Sequence, residues 1–296
     1  NIVAWQSEFW IPKLTAITDG VPLIAATLAG LPRKDAINPG NIFQNSAPSY
    51  PFPNARALVH RLETTPFRPS WIRTPGRMQN TYANEAFMDE LAAAAGADPV
   101  EFRLRHLKDL RGIEVLKAAV SRAKWETRPS PSKTAARASV ASGRGVSYVK
   151  YENVRTYVAA IAEVEVDRRS GAIRVKRVVV AHDCGQVINP DGVKAQIEGN
   201  VIQTVSRTLK EELTWDRSRV TSIDWELYPI LKFPEVPEVD TVLIDRPDQP
   251  PWGAGEPAAA VVPSAISNAV FDAIGVRVRT VPFTPGRVKA AILAKT

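Results

Sequence analysis

The sequence predicts a mixed α/β fold of the α+β kind, and three stretches carry that prediction. Val262, Ile266, Val270 and Ile274 recur every four residues, with Pro263 at the helix start and Gly275 just past its end. Tyr157 to Val166 and Ile173 to Ala181 are Val-rich runs joined by Asp167-Arg-Arg-Ser-Gly171, the pattern of a hairpin. Between Thr81 and Leu107 the spacing turns helical twice. With 296 residues, 45% of them hydrophobic, the chain has ample material for one large or two modest domains.

Taken in order, residues 1 to 60 are rich in Pro, Asn and Gly. Ile2 to Trp5 reads as a strand end, and Leu23 to Leu28 as a short apolar run of open type. Pro66 to Asn80 is a loop by composition. Asn80 caps a helix from Thr81 to Ala95 whose buried face is marked by Phe87, Leu91 and Ala94. Glu85, Asp89 and Glu90 are expected on its surface, solvated or paired. Asp98-Pro-Val-Glu101 opens a second helix to Leu107 as a capping box. A third spans Gly112 to Lys124. Residues 127–145, rich in Pro, Ser, Ala and basic side chains, read as an exposed connection between a lobe of 1–126 and a lobe of 146–296. After the hairpin a helix follows Pro190. Strands are expected at Leu209 to Trp215, in short pieces over Trp225 to Ile244, and at Val276 to Val281. Trp225, Tyr228 and Phe233 suit either core packing or a substrate funnel, with core the default.

The net charge is +7, but the basic residues are scattered and no nucleic-acid-binding signature accompanies them, so a solvated surface is expected and no nucleic acid. No run of about 18 apolar residues predicts a transmembrane segment, and no secretory signal opens the chain. Cytoplasm and bacterial periplasm both remain open. The single cysteine, Cys184, excludes an internal disulfide and an iron–sulfur cluster held by this chain alone. His182 and Cys184 have poor zinc spacing and read as a structural pair whose polar groups are satisfied.

Pro250-Pro-Trp-Gly-Ala-Gly-Glu256-Pro presents one carboxylate directly after two glycines, which permit a tight turn and close approach. Pro257 is expected to hold Glu256 in extended backbone. The helix beyond it carries Ala265, Ala269 and Ala273, a stripe small enough for very close packing.

These residues carry a family resemblance. Trp252-Gly-Ala-Gly-Glu-Pro257, Ala265 to Arg279 and Val281-Pro-Phe-Thr-Pro285 resemble the C-terminal end of the molybdopterin-binding subunit of xanthine dehydrogenase family enzymes. The nearest branch is that of the isoquinoline 1-oxidoreductase beta subunit and related aldehyde dehydrogenases. The resemblance implies the C-terminal half of a molybdenum cofactor-binding domain of the xanthine dehydrogenase/aldehyde oxidase type. It makes Glu256 the catalytic base beside molybdenum and Gly255 part of the cofactor turn. Arg73, Gly76 and Gln79 match an Arg-x-x-Gly-x-x-Gln loop that contacts the pterin, with Arg77 where relatives often carry a small residue. Gln196 matches the Gln of a Gln-x-Glu-Gly motif that bonds the cofactor, and Asn200 replaces a frequent Gly. No residue of this chain is implied as a metal ligand.

The branch's Gly-Gln-Gly segment is not found, so the chain looks like a fragment or a split subunit. The implied cofactor is molybdenum-molybdopterin, with the cytosine dinucleotide form as one variant. The implied partners are an iron–sulfur subunit with [2Fe–2S] clusters, the N-terminal half of the molybdopterin-binding subunit, and a small-molecule substrate. The implied reaction hydroxylates an aldehyde or an N-heteroaromatic carbon with oxygen from water. Two other readings stand beside it: a non-catalytic scaffold that completes a partner's cofactor site, and a basic nucleic-acid-binding module.

Overall fold

A computed structural model describes residues 1–12, 28–30, 42–62, 64–67, 72–132 and 138–294. The apolar run Leu23 to Leu28 therefore lies outside the described residues, apart from Leu28.

The fold is built on a four-stranded sheet. Its strands are β3 (Val140–Lys150), β4 (Tyr157–Asp167), β5 (Ile173–Asp183) and β6 (Glu238–Leu243), in that spatial order. β3, β4 and β5 run antiparallel, and β6 joins β5 parallel. A separate parallel pair joins β1 (Trp5–Pro12) to β2 (Ala55–Leu62). Six α-helices and three one-turn 3-10 helices complete the described elements, the α-helices being α1 (Arg77–Ala94), α2 (Pro99–His106), α3 (Leu110–Arg122), α4 (Pro190–Leu209), α5 (Val262–Ile274) and α6 (Pro285–Leu293).

The sheet is buried on both faces because alternate side chains of a strand point to opposite sides. Val158, Ala160, Val178 and Val180 enter one core with α4 and α5. Ala159, Ile161, Val179 and Ala181 enter the other with α1 to α3 and the ring cluster of Trp5, Tyr50 and Phe52. This second core spans both expected lobes. The connection expected over 127–145 is also shorter than its composition suggests. Val140 onward is strand, and Arg128 and Ser130 are pinned to α5 by the buried Asp272 carboxylate at 2.6 to 2.8 Å.

α5 packs its alanine stripe against β3 as its small residues allow. A Cβ at Gly145 would lie 2.2 Å from the Ala269 nitrogen, and one at Gly143 would lie 2.2 Å from the Ala269 oxygen. Gly275 ends α5 in left-handed backbone at φ 66°. Pro257–Ile274 is, among the described residues, the one stretch long and apolar enough to cross a membrane, and 94% of it is buried inside the fold.

Several local expectations are corrected. α1 begins at Arg77, and Asn80 lies within it, donating to the Ile42 and Gln44 carbonyls instead of capping. The buried face of α1 is polar. Glu85 and Asp89 are inside, and Phe87 is 45% exposed. Glu85 can be buried because Tyr50, Arg103 and the Tyr148 amide all donate to it at 2.7 to 2.9 Å. No strand forms over Leu209 to Trp215, since α4 runs to Leu209 and only an isolated bridge links Trp215 to Val220. From Trp225 to Ile244 only β6 forms, beginning after the last of three prolines. Val276 to Val281 is not a strand. It crosses α1, where Tyr82 donates to the Val278 carbonyl at 2.9 Å and Arg277 meets Asp89 at 2.8 Å, so its groups are taken by side chains. Trp225 and Phe233 are 74% and 94% exposed, not core.

Candidate active site

The 250–256 turn is anchored to the end of β5. The Trp252 amide donates to the Cys184 carbonyl at 2.8 Å, and a Cβ at Gly185 would lie 2.1 Å from the Pro250 oxygen. Glu256 therefore emerges from a fixed base. Its backbone sits at φ −142°, ψ −19°, not in the extended region that the following proline favours. Side-chain contacts set its position instead. Oε1 accepts the Tyr151 phenol at 2.5 Å, and Oε2 accepts the Thr74 amide at 3.0 Å. Tyr151 is buried, and desolvation followed by the bond to Glu256 pushes its pKa far above the ordinary phenol value. The phenol therefore keeps its proton and remains the donor.

Arg73, next to Thr74, turns its guanidinium toward α4 and donates to Gln196 Oε1 at 3.1 Å. Gly199 leaves room for it, since a Cβ there would stand 3.1 Å from Nη1. Asn200 ties the helix to the turn. Its Nδ2 donates to the Gln196 carbonyl at 2.5 Å and to the Gly255 carbonyl at 3.1 Å, while its Oδ1 accepts the Ala259 amide at 3.3 Å. A Cβ at Gly255 would meet only Gln196 Oε1, at 3.8 Å, and one at Gly253 would meet nothing. Arg73, Gln196, Gly255 and Glu256 thus come together from three distant segments.

Two other expected residues do not join them in the same way. Gly76, at φ 75°, permits a close approach by Ile42, whose oxygen would lie 2.5 Å from a Cβ. Gln79 is exposed on the first turn of α1 and, among the described residues, takes no part in the Glu256 cluster. Arg77 is buried behind the site, its guanidinium 5.6 Å from the centre of the Tyr151 ring. Sequence reasoning does not find Tyr151 or Thr74. Thr74 acts through its backbone, and Tyr151 stands 105 residues from Glu256 with no motif around it.

The donor set is chemically specific. A guanidinium, a primary amide and an open glycine turn form a cradle for an anionic, hydrogen-bond-rich group. Glu256 stands at its edge, each carboxylate oxygen retaining acceptor capacity beyond its one bond. That arrangement is suited to accepting a proton beside a bound group.

The molybdopterin cofactor-binding domain family matches residues 82–237, and a second such domain matches residues 26–107. The chain belongs to the molybdopterin cofactor-binding family. Its relatives support the expected resemblance to xanthine dehydrogenase family enzymes. It is 42% identical over 284 residues to a subunit of nicotinate dehydrogenase from Pseudomonas putida, covering 93% of this chain and 24% of that protein. It is 32% identical over 216 residues to the isoquinoline 1-oxidoreductase beta subunit of Brevundimonas diminuta, covering 73% and 26%.

Among solved structures, quinoline 2-oxidoreductase from Pseudomonas putida 86 superposes with a TM-score of 0.74 at 16% identity, over 86% of this chain and 56% of that one. Aldehyde oxidoreductase from Desulfovibrio gigas gives 0.72 at 17%, over 97% and 47%. These two likenesses show the fold alone. The chain spans about half of those solved chains and about a quarter of the curated relatives it matches.

Proposed function

We propose that this chain supplies the base and one wall of the cofactor site in a molybdenum hydroxylase that oxidises an aldehyde or an N-heteroaromatic carbon. The observation that carries this reading is the Glu256 carboxylate held beside the Arg73–Gln196 pair on an open glycine turn. The names of the relatives, which include nicotinate and isoquinoline enzymes, support the substrate class.

When bound, molybdenum-molybdopterin, as such or as its cytosine dinucleotide, supplies the redox chemistry and the activation of water. Arg73 and Gln196 hold the pterin side, with Gly255 letting the backbone approach it. Gly76, in left-handed backbone against Ile42, shapes the loop that carries Arg73, and Gln79, exposed at the start of α1, is left for the pterin side. Glu256 takes up the proton of the water-derived nucleophile on a lone pair left free by Tyr151 and Thr74. One cysteine cannot hold an iron–sulfur cluster, and the family resemblance supplies the electron route, a partner subunit with [2Fe–2S] clusters. The remaining pterin contacts come from the N-terminal part of the molybdopterin-binding subunit.

Glu256→Gln tests the role, because glutamine is nearly isosteric and takes no proton. In the assembled enzyme it should retain molybdenum and lose on the order of 10²–10⁴-fold in turnover. Full turnover in a loaded variant would exclude the base role and leave the scaffold reading. Loss of molybdenum would make Glu256 a cofactor residue.

A further inference from the structure

Three segments converge on Glu256: the 73–77 loop, the turn after β3, and the 252–256 turn. One buried carboxylate, on the turn after β3, bonds the first of them directly and reaches the last through Arg155. Glu152, whose side chain is 6% exposed, accepts from Arg77 Nη2 on Oε1 at 2.5 Å and from Arg155 Nε on Oε2 at 2.5 Å. Arg77 donates in turn to the Pro75 carbonyl at 3.0 Å, adjoining the Thr74 amide that holds Glu256, and covers the ring of Tyr151, which supplies the other donor. Arg155 lies 5.0 Å from the Trp252 ring at the start of the Glu256 turn.

The local backbone is built for this placement. Glu152, Asn153 and Thr156 all have left-handed φ, at 57°, 62° and 43°. Such residues persist only where surroundings over-determine them. Here the surroundings are Asn45, itself at φ 60°. Its Oδ1 accepts the Glu152 amide at 2.8 Å, its Nδ2 donates to the Lys150 carbonyl at 2.9 Å, and its amide donates to Asn153 Oδ1 at 3.2 Å. The Tyr151 amide donates to the Thr156 carbonyl at 2.9 Å.

We propose that Glu152, acting through Arg77 and Arg155, is the positioning residue for Glu256, fixing both of its donors and the turn that carries it. The inference rests on Glu256 being the base. It also explains Arg77. The bulky residue that departs from the family pattern faces away from the cradle and braces the carboxylate from behind.

Two variants test it in the assembled enzyme. Tyr151→Phe keeps the ring under Arg77 and removes only the phenol. The antisymmetric carboxylate stretch of Glu256, isolated by difference against Glu256→Gln, should move to higher frequency as that bond is lost. Glu152→Gln should move the same band in the same direction and lower kcat by about tenfold or more, with KM and molybdenum content unchanged. A band that stays in place, or molybdenum lost from Glu152→Gln, would overturn the proposal. Should Glu152→Gln not fold, Arg155→Gln cuts only the arm to Trp252. It should lower kcat in the same manner, and full kcat there would overturn the proposal. If Glu256→Gln itself turns over at full rate, the base reading fails, while the band still reports whether Glu152 governs the carboxylate.

Discussion

His182 offers a quantitative test of the core beneath the site. It lies on β5 between Val158 and Leu243, fully buried, and, contrary to the satisfied pair expected from the sequence, neither ring nitrogen has a hydrogen-bond partner among the described residues. Burial lowers its pKa from 6.5 to about 4, while the neighbouring Asp183 charge pulls weakly the other way. The unfolded chain takes up a proton near pH 6.5, and the folded chain does so only near pH 4. Between those values the unfolded state binds more protons, so stability falls as the pH drops through this window and is level above it. The slope is about 1.4 kcal/mol per pH unit, and going from pH 7 to pH 5 should cost about 2 kcal/mol from this residue alone. His182→Leu keeps an apolar side chain there and removes the titration. Urea unfolding of both proteins at pH 7 and pH 5 gives the difference, and carboxylate contributions common to both cancel. The gap between wild type and variant should widen by about 2 kcal/mol at pH 5. An identical pH dependence in the two would show that His182 is not held neutral by burial.

Other expectations follow from contacts described above. Arg73→Ala or Gln196→Ala should lower the molybdenum content of the assembled enzyme while the thermal melt stays near that of the parent. Full metal occupancy in both would remove them from the cofactor site. Gly145→Ala should cost about 1–3 kcal/mol or more, because the β3–α5 contact has no room for a methyl group. A normal melting temperature would show that the two elements can separate. Glu85→Ala strands the fully buried Arg103 and should cost about 3–5 kcal/mol in chemical unfolding. A loss below about 1 kcal/mol would mean that Asp89, 3.8 Å from Arg103, suffices as its partner.

The features legible in the sequence are those that local spacing encodes. The β4–β5 hairpin, α5 with its proline start and glycine end, and the Asp98 cap that accepts from Val100 and Glu101 all follow from neighbours in the chain. Glu256, Arg73 and Gln196 are visible through motifs, and the fold brings these three together. Most of the errors share one cause. Hydropathy puts Phe87 inside and Glu85 outside, because it cannot show that Tyr50, Arg103 and Tyr148 satisfy a buried carboxylate. Val276 to Val281 alternates like a strand, yet it lies against a helix and pairs with none. Tyr151, Thr74 and Glu152 act through partners 75 to 182 residues away, and no window of sequence contains such a pair. α6, with Thr284 capping the Arg287 amide, is absent from the expected elements although Thr-Pro is an ordinary helix start.

The left-handed residues have a consequence for selection. Of six non-glycine residues with positive φ among the described residues, five belong to the bonded network around Glu152 and Glu256: Asn45, Thr74, Glu152, Asn153 and Thr156. Each holds a conformation that costs on the order of 1 kcal/mol. A screen rewarding only heat resistance would therefore find its easiest gains here, by substituting residues that relax these positions. The resulting proteins would melt later and hold Glu256 less firmly. Under the proposed role of Glu256, thermal tolerance and turnover would oppose each other within this small region, whereas the two-sided sheet could be reinforced apart from it.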